Sequence, residues 1–135
     1  MPRTLALAVL LVMSCPATAL AGTATVGEIV TDPKYGSTEP ALYYTGAAGE
    51  RNAIGVVRDG SAVVLRDDGA TPRPGNGCAA LDARTVTCSA PTGPFGTPTL
   101  SIVIDAGDGD DTVIVPALAD ARGGTSVRGG DGADT

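Results

Sequence analysis

Residues Leu100-Ser-Ile-Val-Ile-Asp105 are rich in β-branched side chains and lead directly into the tract Ala106-Gly-Asp-Gly-Asp-Asp111-Thr-Val113. A related tract, Gly129-Gly-Asp-Gly-Ala-Asp134-Thr135, follows later in the chain. β-Branched residues favour strands, whereas glycine permits the backbone conformations that tight turns require. This part of the sequence therefore predicts a strand that ends in a glycine-rich, acidic turn, with a second turn of the same kind after it.

The predicted turns combine two kinds of oxygen donor, main-chain carbonyls and aspartate carboxylates. Calcium takes six to eight oxygen ligands at about 2.3 to 2.6 Å, and a glycine-rich turn supplies several carbonyls without side-chain clashes. Both tracts also match the template GGxGxDxUx, in which U is apolar, and Val113 occupies the U position of the first tract. We therefore expect these turns to bind Ca²⁺.

With these motifs, about the last 30 residues resemble the hemolysin-type, or RTX, calcium-binding repeat proteins. The resemblance implies a parallel β-roll, in which two nonapeptides make one coil and successive turns lie on the same side. It implies carboxylate ligands from Asp111 and Asp134. It also implies main-chain carbonyl ligands from four further residues, namely Ala106, Asp108, Gly130 and Gly132.

Three features depart from the repeat pattern. Ala106 replaces the first glycine, the spacing between Asp111 and Asp134 is longer than one coil, and the second tract stops at Thr135 before its apolar residue. A solenoid coil buries its apolar residues only against neighbouring coils, so it needs about three or more repeats or a cap. We therefore expect a truncated product or a fragment of a longer array, or missing coils supplied by another chain.

The composition indicates an acidic, non-catalytic protein. The chain has 15 acidic and 9 basic residues, which disfavours binding to the phosphates of nucleic acid. It has no histidine to act as the base for a serine or cysteine nucleophile, and it has neither a GxSxG motif nor a phosphate-binding loop. We expect no enzymatic activity, and no sequence feature identifies a protein or surface partner.

Residues 1–21 have the features of a secretory signal peptide. Arg3 precedes an apolar run over residues 5–13, and Ala19-Leu-Ala21 is a small-residue cleavage site. The apolar run is too short to span a bilayer. We therefore expect a secreted, extracellular protein; the less favoured alternative is a lipoprotein anchored through Cys15.

Cleavage after Ala21 removes Cys15 and leaves Cys78 and Cys88 as a pair in an oxidising compartment. Asp82-Ala-Arg84 between them can turn the chain, and the residues that follow are β-prone. We expect a disulfide that links the two arms of a hairpin. A metal-binding or reactive thiol pair is less favoured, because there is no CxxC spacing.

The rest of the chain shows short β-prone runs separated by turn residues, and no sustained helical periodicity. Strands are predicted over residues 23–30, 41–45, 53–57 and 62–65, and Asp59-Gly60 is the strongest hairpin signal. We predict an all-β protein in which a disulfide-bonded domain, residues 22–100, leads into the first coil of a parallel β-roll, residues 101–135.

Two functions are consistent with this reading. The first is an exported protein whose folding is coupled to calcium binding. The second is a non-catalytic surface or adhesive structural protein, in which residues 22–100 contact a partner and the Gly/Asp-rich tail is a disordered spacer. Tyr43-Tyr44 is the aromatic pair that would anchor such a contact, although a place in a strand core is favoured for it.

Overall fold

A computed structural model describes residues 21–89, 100–116 and 123–135. These residues form ten strands and no helix, which confirms the prediction of an all-β protein. No helix in this part of the chain is long and apolar enough to cross a membrane. The strands are β1 (Thr23–Asp32), β2 (Ser37–Thr45), β3 (Ala53–Asp59), β4 (Ala62–Asp67), β5 (Arg73–Pro74), β6 (Cys78–Asp82), β7 (Thr85–Ser89), β8 (Ser101–Asp105), β9 (Thr112–Ile114) and β10 (Thr125–Arg128).

The strand predictions for the first half of the chain are confirmed, with longer strands than expected. The hairpin predicted at Asp59-Gly60 joins β3 to β4, and Val57 lies opposite Val64 in the antiparallel pair. Gly60 has a φ of +59°, a conformation that glycine adopts without strain. This hairpin therefore forms where local turn chemistry and strand propensity agree.

The strands make two five-stranded sheets. One has the order β10-β8-β2-β1-β5, and the other has the order β6-β7-β4-β3-β9. Antiparallel pairs connect β1 to β2, β3 to β4, β4 to β7 and β6 to β7. The later strands add in parallel: β8 to β2, β10 to β8 and β9 to β3. Each sheet thus contains strands that precede residue 100 in the sequence and strands that follow it.

The core lies between the two sheets and is built by alternation along the strands. Leu42 and Tyr44 of β2 are buried, and Ile102 and Ile104 of β8 lie beside them in register. The facing sheet contributes a second set of buried residues, which includes Ile54, Val56, Val63, Leu65 and Val86. Burial of one such aliphatic side chain stabilises the fold by about 1.5 to 3 kcal/mol, so this single core joins the two segments.

The predicted disulfide is confirmed. Cys78 of β6 lies directly opposite Cys88 of β7, and their sulfur atoms are 2.07 Å apart. The bond therefore cross-links the two arms of the β6–β7 hairpin. Cys88 is fully buried in the core, so the disulfide ties the edge strand β6 to a strand that packs in the core.

The predicted secretory signal, which includes Cys15, lies outside the described residues except for Ala21.

Removal of the disulfide tests the contribution of this hairpin to stability. Replacing both Cys78 and Cys88 by alanine should lower the free energy of unfolding by about 2 to 3 kcal/mol, because the unfolded chain regains the entropy of a short closed loop. Urea unfolding followed by circular dichroism measures this difference. An unchanged unfolding midpoint would contradict the expectation.

Candidate metal centre

Three turns lie on one another at one end of the sheets. The first turn (residues 46–52) joins β2 to β3, the second turn (106–111) joins β8 to β9, and the third turn (129–134) follows β10. Strands β2, β8 and β10 run parallel in neighbouring positions, and this brings the turns that follow them into register.

The same main-chain hydrogen bond occurs at both steps of this stack. The N–H of Gly46, at the start of the first turn, donates to the carbonyl of Asp105 at 2.8 Å. The N–H of Ala106, at the start of the second turn, donates to the carbonyl of Arg128 at 2.9 Å. Successive turns are therefore held together by the same main-chain hydrogen bond at both steps of the stack.

The second and third turns also share one backbone conformation. The φ angle is 94° at both Gly107 and Gly130, and it is 141° and 154° at Gly109 and Gly132. Residues with a β-carbon rarely adopt these values. A β-carbon at Gly130 or Gly132 would also overlap the carbonyl oxygen of Gly107 or Gly109, respectively. These two carbonyl oxygens of the second turn therefore face the third turn.

The first turn repeats the stacking contacts of the other two but not their backbone conformation, since neither Ala47 nor Glu50 has a positive φ, and the sequence analysis missed it. It has seven residues where the other two turns have six, and it carries Ala47 and Glu50 where the second turn carries Gly107 and Gly109. These differences remove the glycine pattern that marks the other turns. The remaining signal is Asn52 followed two residues later by the buried Ile54, which pairs with Val113.

The last residues of the three turns, Asn52, Asp111 and Asp134, form a ladder. The carboxylate Oδ1 of Asp111 accepts the main-chain N–H of Asn52 at 2.7 Å. The Oδ1 of Asp134 accepts the main-chain N–H of Asp111 at 3.2 Å. Hydrogen bonds to an ionised carboxylate are stronger than neutral ones, so each aspartate holds its own turn to the preceding one.

The side-chain amide of Asn52 lies between the first and second turns. Its Nδ2 donates to the carbonyl of Ala106 at 2.8 Å and lies 3.4 Å from Oδ1 of Asp111. Its Oδ1 lies 3.1 Å from the Tyr44 hydroxyl. The amide is only 1% exposed, and each of its polar atoms has a partner.

The other carboxylate oxygen of Asp111 has no such partner. Asp111 is 1% exposed, and its Oδ2 makes no hydrogen bond within the described residues. The hydrogen bonds to its Oδ1 come from neutral N–H donors, and among the described residues no salt bridge reaches this carboxylate. A buried, unpaired anion is unstable unless a cation or further donors approach it.

Asp67 closes the opposite side of the first turn. Its Oδ1 accepts the main-chain N–H groups of Ala53, Gly69 and Ala70, and its Oδ2 accepts the Tyr44 hydroxyl at 2.7 Å. Asp67 is fully buried, whereas the neighbouring Asp68 is exposed. Burial of the Tyr44 hydroxyl is the main cause that raises the pKa of Tyr44 above the ordinary value, and the hydrogen bond to Asp67 is the second cause.

The structure brings together the two predicted carboxylate ligands, Asp111 and Asp134, in adjacent turns. The predicted carbonyl of Ala106 accepts an N–H of the Asn52 amide and so faces the first turn. The side chain of Asp108 accepts the N–H of Gly49. In the third turn the carbonyl of Asp131, which lies between the predicted Gly130 and Gly132, accepts the N–H of Gly109. Calcium binding by the six predicted residues stays a prediction.

Within the described ranges, no group of three or more His, Cys, Asp or Glu side chains is arranged to hold a metal ion. Main-chain carbonyls, which make up most of the predicted ligand set, are a separate class of donor. The chain matches no protein-family model, and comparison with curated proteins and with solved structures returned no match. The functional argument therefore comes from the residues and their geometry.

Substitution of Gly132 tests whether the third turn is seated against the second. Gly132→Ala should displace the third turn, because the added β-carbon overlaps the carbonyl of Gly109. The amide protons of Gly109 and Val113, which donate to Asp131 and Thr135, should then exchange at least about tenfold faster, as expected when a local structure opens more easily. Hydrogen exchange measured by NMR gives these rates.

Gly124→Ala is the matched control, since a β-carbon at Gly124 meets no atom within 4 Å and its backbone is not left-handed. Equal protection of Gly109 in the two variants would contradict the close contact of the turns.

Substitution of Tyr44 tests the buried polar group formed with Asp67 and Asn52. Tyr44→Phe should lower the free energy of unfolding by about 1 to 3 kcal/mol, because the buried Oδ2 of Asp67 loses its hydrogen-bond donor. Tyr43→Phe is the control, since the Tyr43 hydroxyl donates to the carbonyl of Glu28 at an exposed site and should matter less. Equal unfolding midpoints in urea for the two variants would contradict this.

The raised pKa of Tyr44 adds a dependence on pH with a definite sign. The unfolded state loses the tyrosine proton above pH ~10, whereas the folded state retains it to a higher pH. The contribution of Tyr44 to stability is therefore complete below pH ~10 and falls as the pH rises further. Thermal unfolding between pH 8 and about 11 should show a smaller decline for Tyr44→Phe than for the native protein.

Proposed function

We propose that the protein is an exported calcium-binding protein, in which one ion binds between the second and third turns and couples binding to the docking of the third turn. The observation that carries this proposal is the buried Oδ2 of Asp111, which has no hydrogen-bond partner among the described residues. The carboxylate of Asp134 comes from the adjacent turn and is exposed. A cation between the turns would give Asp111 the partner it lacks.

The carbonyl directions refine the ligand set of this proposal. Gly107 and Gly109 direct their carbonyl oxygens toward the third turn, and Asp131 directs its carbonyl toward the second. We therefore assign these three carbonyls, with the two carboxylates of Asp111 and Asp134, to the ion. The carbonyl of Ala106 faces the other side of the second turn, toward Asn52. Five oxygens, together with water, suit the coordination number of Ca²⁺.

The finer fold is part of the same proposal. We take each strand–turn–strand unit as a coil of a parallel β-roll, with β2 and β3 as the first coil and β8 and β9 as the second. The parallel pairs β2–β8, β8–β10 and β3–β9 support this assignment. The antiparallel strands β1, β4, β6 and β7 then serve as the cap that the first coil of a solenoid requires.

The charge of the site favours weak binding. Two carboxylates and neutral carbonyls make a site of moderate charge, and Asp134 is exposed to solvent. Dissociation constants of about 0.1 to 1 mM are typical of extracellular calcium modules. The Cys78–Cys88 disulfide is compatible with the oxidising, calcium-rich compartment that this affinity requires. In that setting calcium would act as a folding ligand for the third turn.

The alternative function, a surface or adhesive structural protein, gains no support from the aromatic pair. Tyr44 is buried in the core, and the half-buried Tyr43 donates its hydroxyl to the carbonyl of Glu28. The described part of the Gly/Asp-rich tail also forms strands and turns, which suits a binding site better than a spacer.

Substitution of Asp111 tests the calcium site. Asp111→Asn keeps an oxygen that accepts the N–H of Asn52 but removes the buried negative charge. Calorimetric titration of the exported protein should give one calcium ion per native chain and no saturable heat for the variant. With calcium at about 100 times the dissociation constant, the native protein should gain about 2.7 kcal/mol of stability, and the variant should gain none.

Asp110→Asn is the control, because Asp110 is the exposed neighbour and contacts Arg51 and the N–H of Ala133 instead. It should retain calcium binding. A Mg²⁺ titration should give a weaker response, since Mg²⁺ demands a near-ideal octahedron and dehydrates reluctantly. Absence of calcium binding to the native protein up to ~10 mM, above the range of weak extracellular sites, would overturn the proposal.

A further inference from the structure

We propose that the side-chain amide of Asn52 takes the place of a cation between the first and second turns, and that replacing it by a carboxylate creates a second divalent-cation site. The inference rests on the proposed function, because it assumes the same kind of ligand, a divalent cation. It concerns a different gap in the stack, however, which the resemblance to repeat proteins does not assign.

Oxygens of the same kinds line the gap between the first and second turns and the gap that holds the proposed ion. The carbonyl of Ala106 faces the first turn, and the carbonyl of Glu50 lies against the α-carbon of Gly109, just as that of Gly109 lies against Gly132. The carboxylate of Asp111 completes the group from the second turn. Carbonyls from two turns and a shared aspartate thus converge on both gaps.

The difference between the gaps is the residue at the end of the earlier turn. The second turn ends in Asp111, next to the gap between the second and third turns, and the Oδ2 of Asp111 has no partner among the described residues. The first turn ends in Asn52, next to the gap between the first and second turns. There the Nδ2 of Asn52 donates to the Ala106 carbonyl and lies near Oδ1 of Asp111. The amide thus presents N–H donors to the same kinds of oxygen that would bind a cation.

Charge explains why the amide suits this position. Asn52 is 1% exposed and Asp67 lies nearby, linked to it through the Tyr44 hydroxyl. A neutral amide supplies N–H donors without adding a third buried carboxylate to Asp67 and Asp111. An aspartate at residue 52 would instead place like charges together, and a cation would be needed to offset them.

Asn52→Asp tests the inference in the exported, disulfide-bonded protein. Calorimetric titration with Ca²⁺ should give one ion for the native protein and two for the variant. The variant should unfold more readily than the native protein without calcium and recover as calcium is added. Terbium, a luminescent probe for calcium sites, should give stronger tyrosine-sensitised emission in the variant, because the Tyr44 hydroxyl adjoins residue 52.

Asn52→Ala is the matched control, since it removes the amide without adding a carboxylate. It should be less stable than the native protein, and its stoichiometry should not rise. An Asn52→Asp variant that binds the same number of ions as the native protein would overturn the inference, as would one that stays unfolded at ~10 mM calcium, above the range of weak extracellular sites.

The two proposals fail in different ways. If the native protein binds no calcium and Asn52→Asp binds one ion, the proposed function is wrong and the inference holds. If the native protein binds one ion and Asn52→Asp also binds one, the proposed function holds and the inference is wrong.

Discussion

The hydrogen bond between the main-chain N–H of Asn52 and the carboxylate of Asp111 is the contact on which the stack of turns depends. It fixes the second turn to the first, and the first turn belongs to the part of the fold that the antiparallel strands and the disulfide hold in place. Asp134 makes the corresponding bond to Asp111. Each turn is therefore positioned by the turn before it. The carbonyl directions follow from that register, and with them the proposed cation site.

Glycine and aspartate have separate roles in this stack. Glycine allows the turns to approach until the carbonyls of one face the α-carbons of the next, as at Gly130 and Gly132. Aspartate spans the remaining distance and adds negative charge at the ends of the second and third turns. Close stacking thus concentrates oxygens in the gaps, and an N–H donor or a cation is needed to balance them. In the first gap the amide of Asn52 supplies the donor.

Much of the fold was predictable because local signals and tertiary structure agree. The hairpin at Asp59-Gly60, the Cys78–Cys88 hairpin and the strand before Ala106 were all predicted from turn residues, cysteine count and β-propensity, and the structure contains each of them. Strand β5 was not predicted. It has only two residues, which include Pro74, and a parallel pairing to β1 places it in a sheet.

The details of the site were less accessible from the sequence. Which carbonyls face which turn depends on the register between residues far apart in the chain, and residue types alone do not set it. The first turn was missed because it has an extra residue and carries Ala47 and Glu50 in place of glycines, so its sequence does not match the glycine pattern of the other two turns. The burial of Asp67 also depends on tertiary structure, because three main-chain N–H groups and the Tyr44 hydroxyl satisfy it in the interior.

The change from antiparallel to parallel pairing has a consequence for the order in which the protein assembles. Strands β1 to β4 and the β6–β7 hairpin pair mainly with neighbours in sequence, so they require only short loops to close. Strand β8 must instead find β2, and the second turn meets the first across a separation of 59 residues. Pairing over long separations slows folding. Formation of the second turn therefore depends on long-range pairing, whereas formation of the early antiparallel strands depends mainly on the closure of short loops.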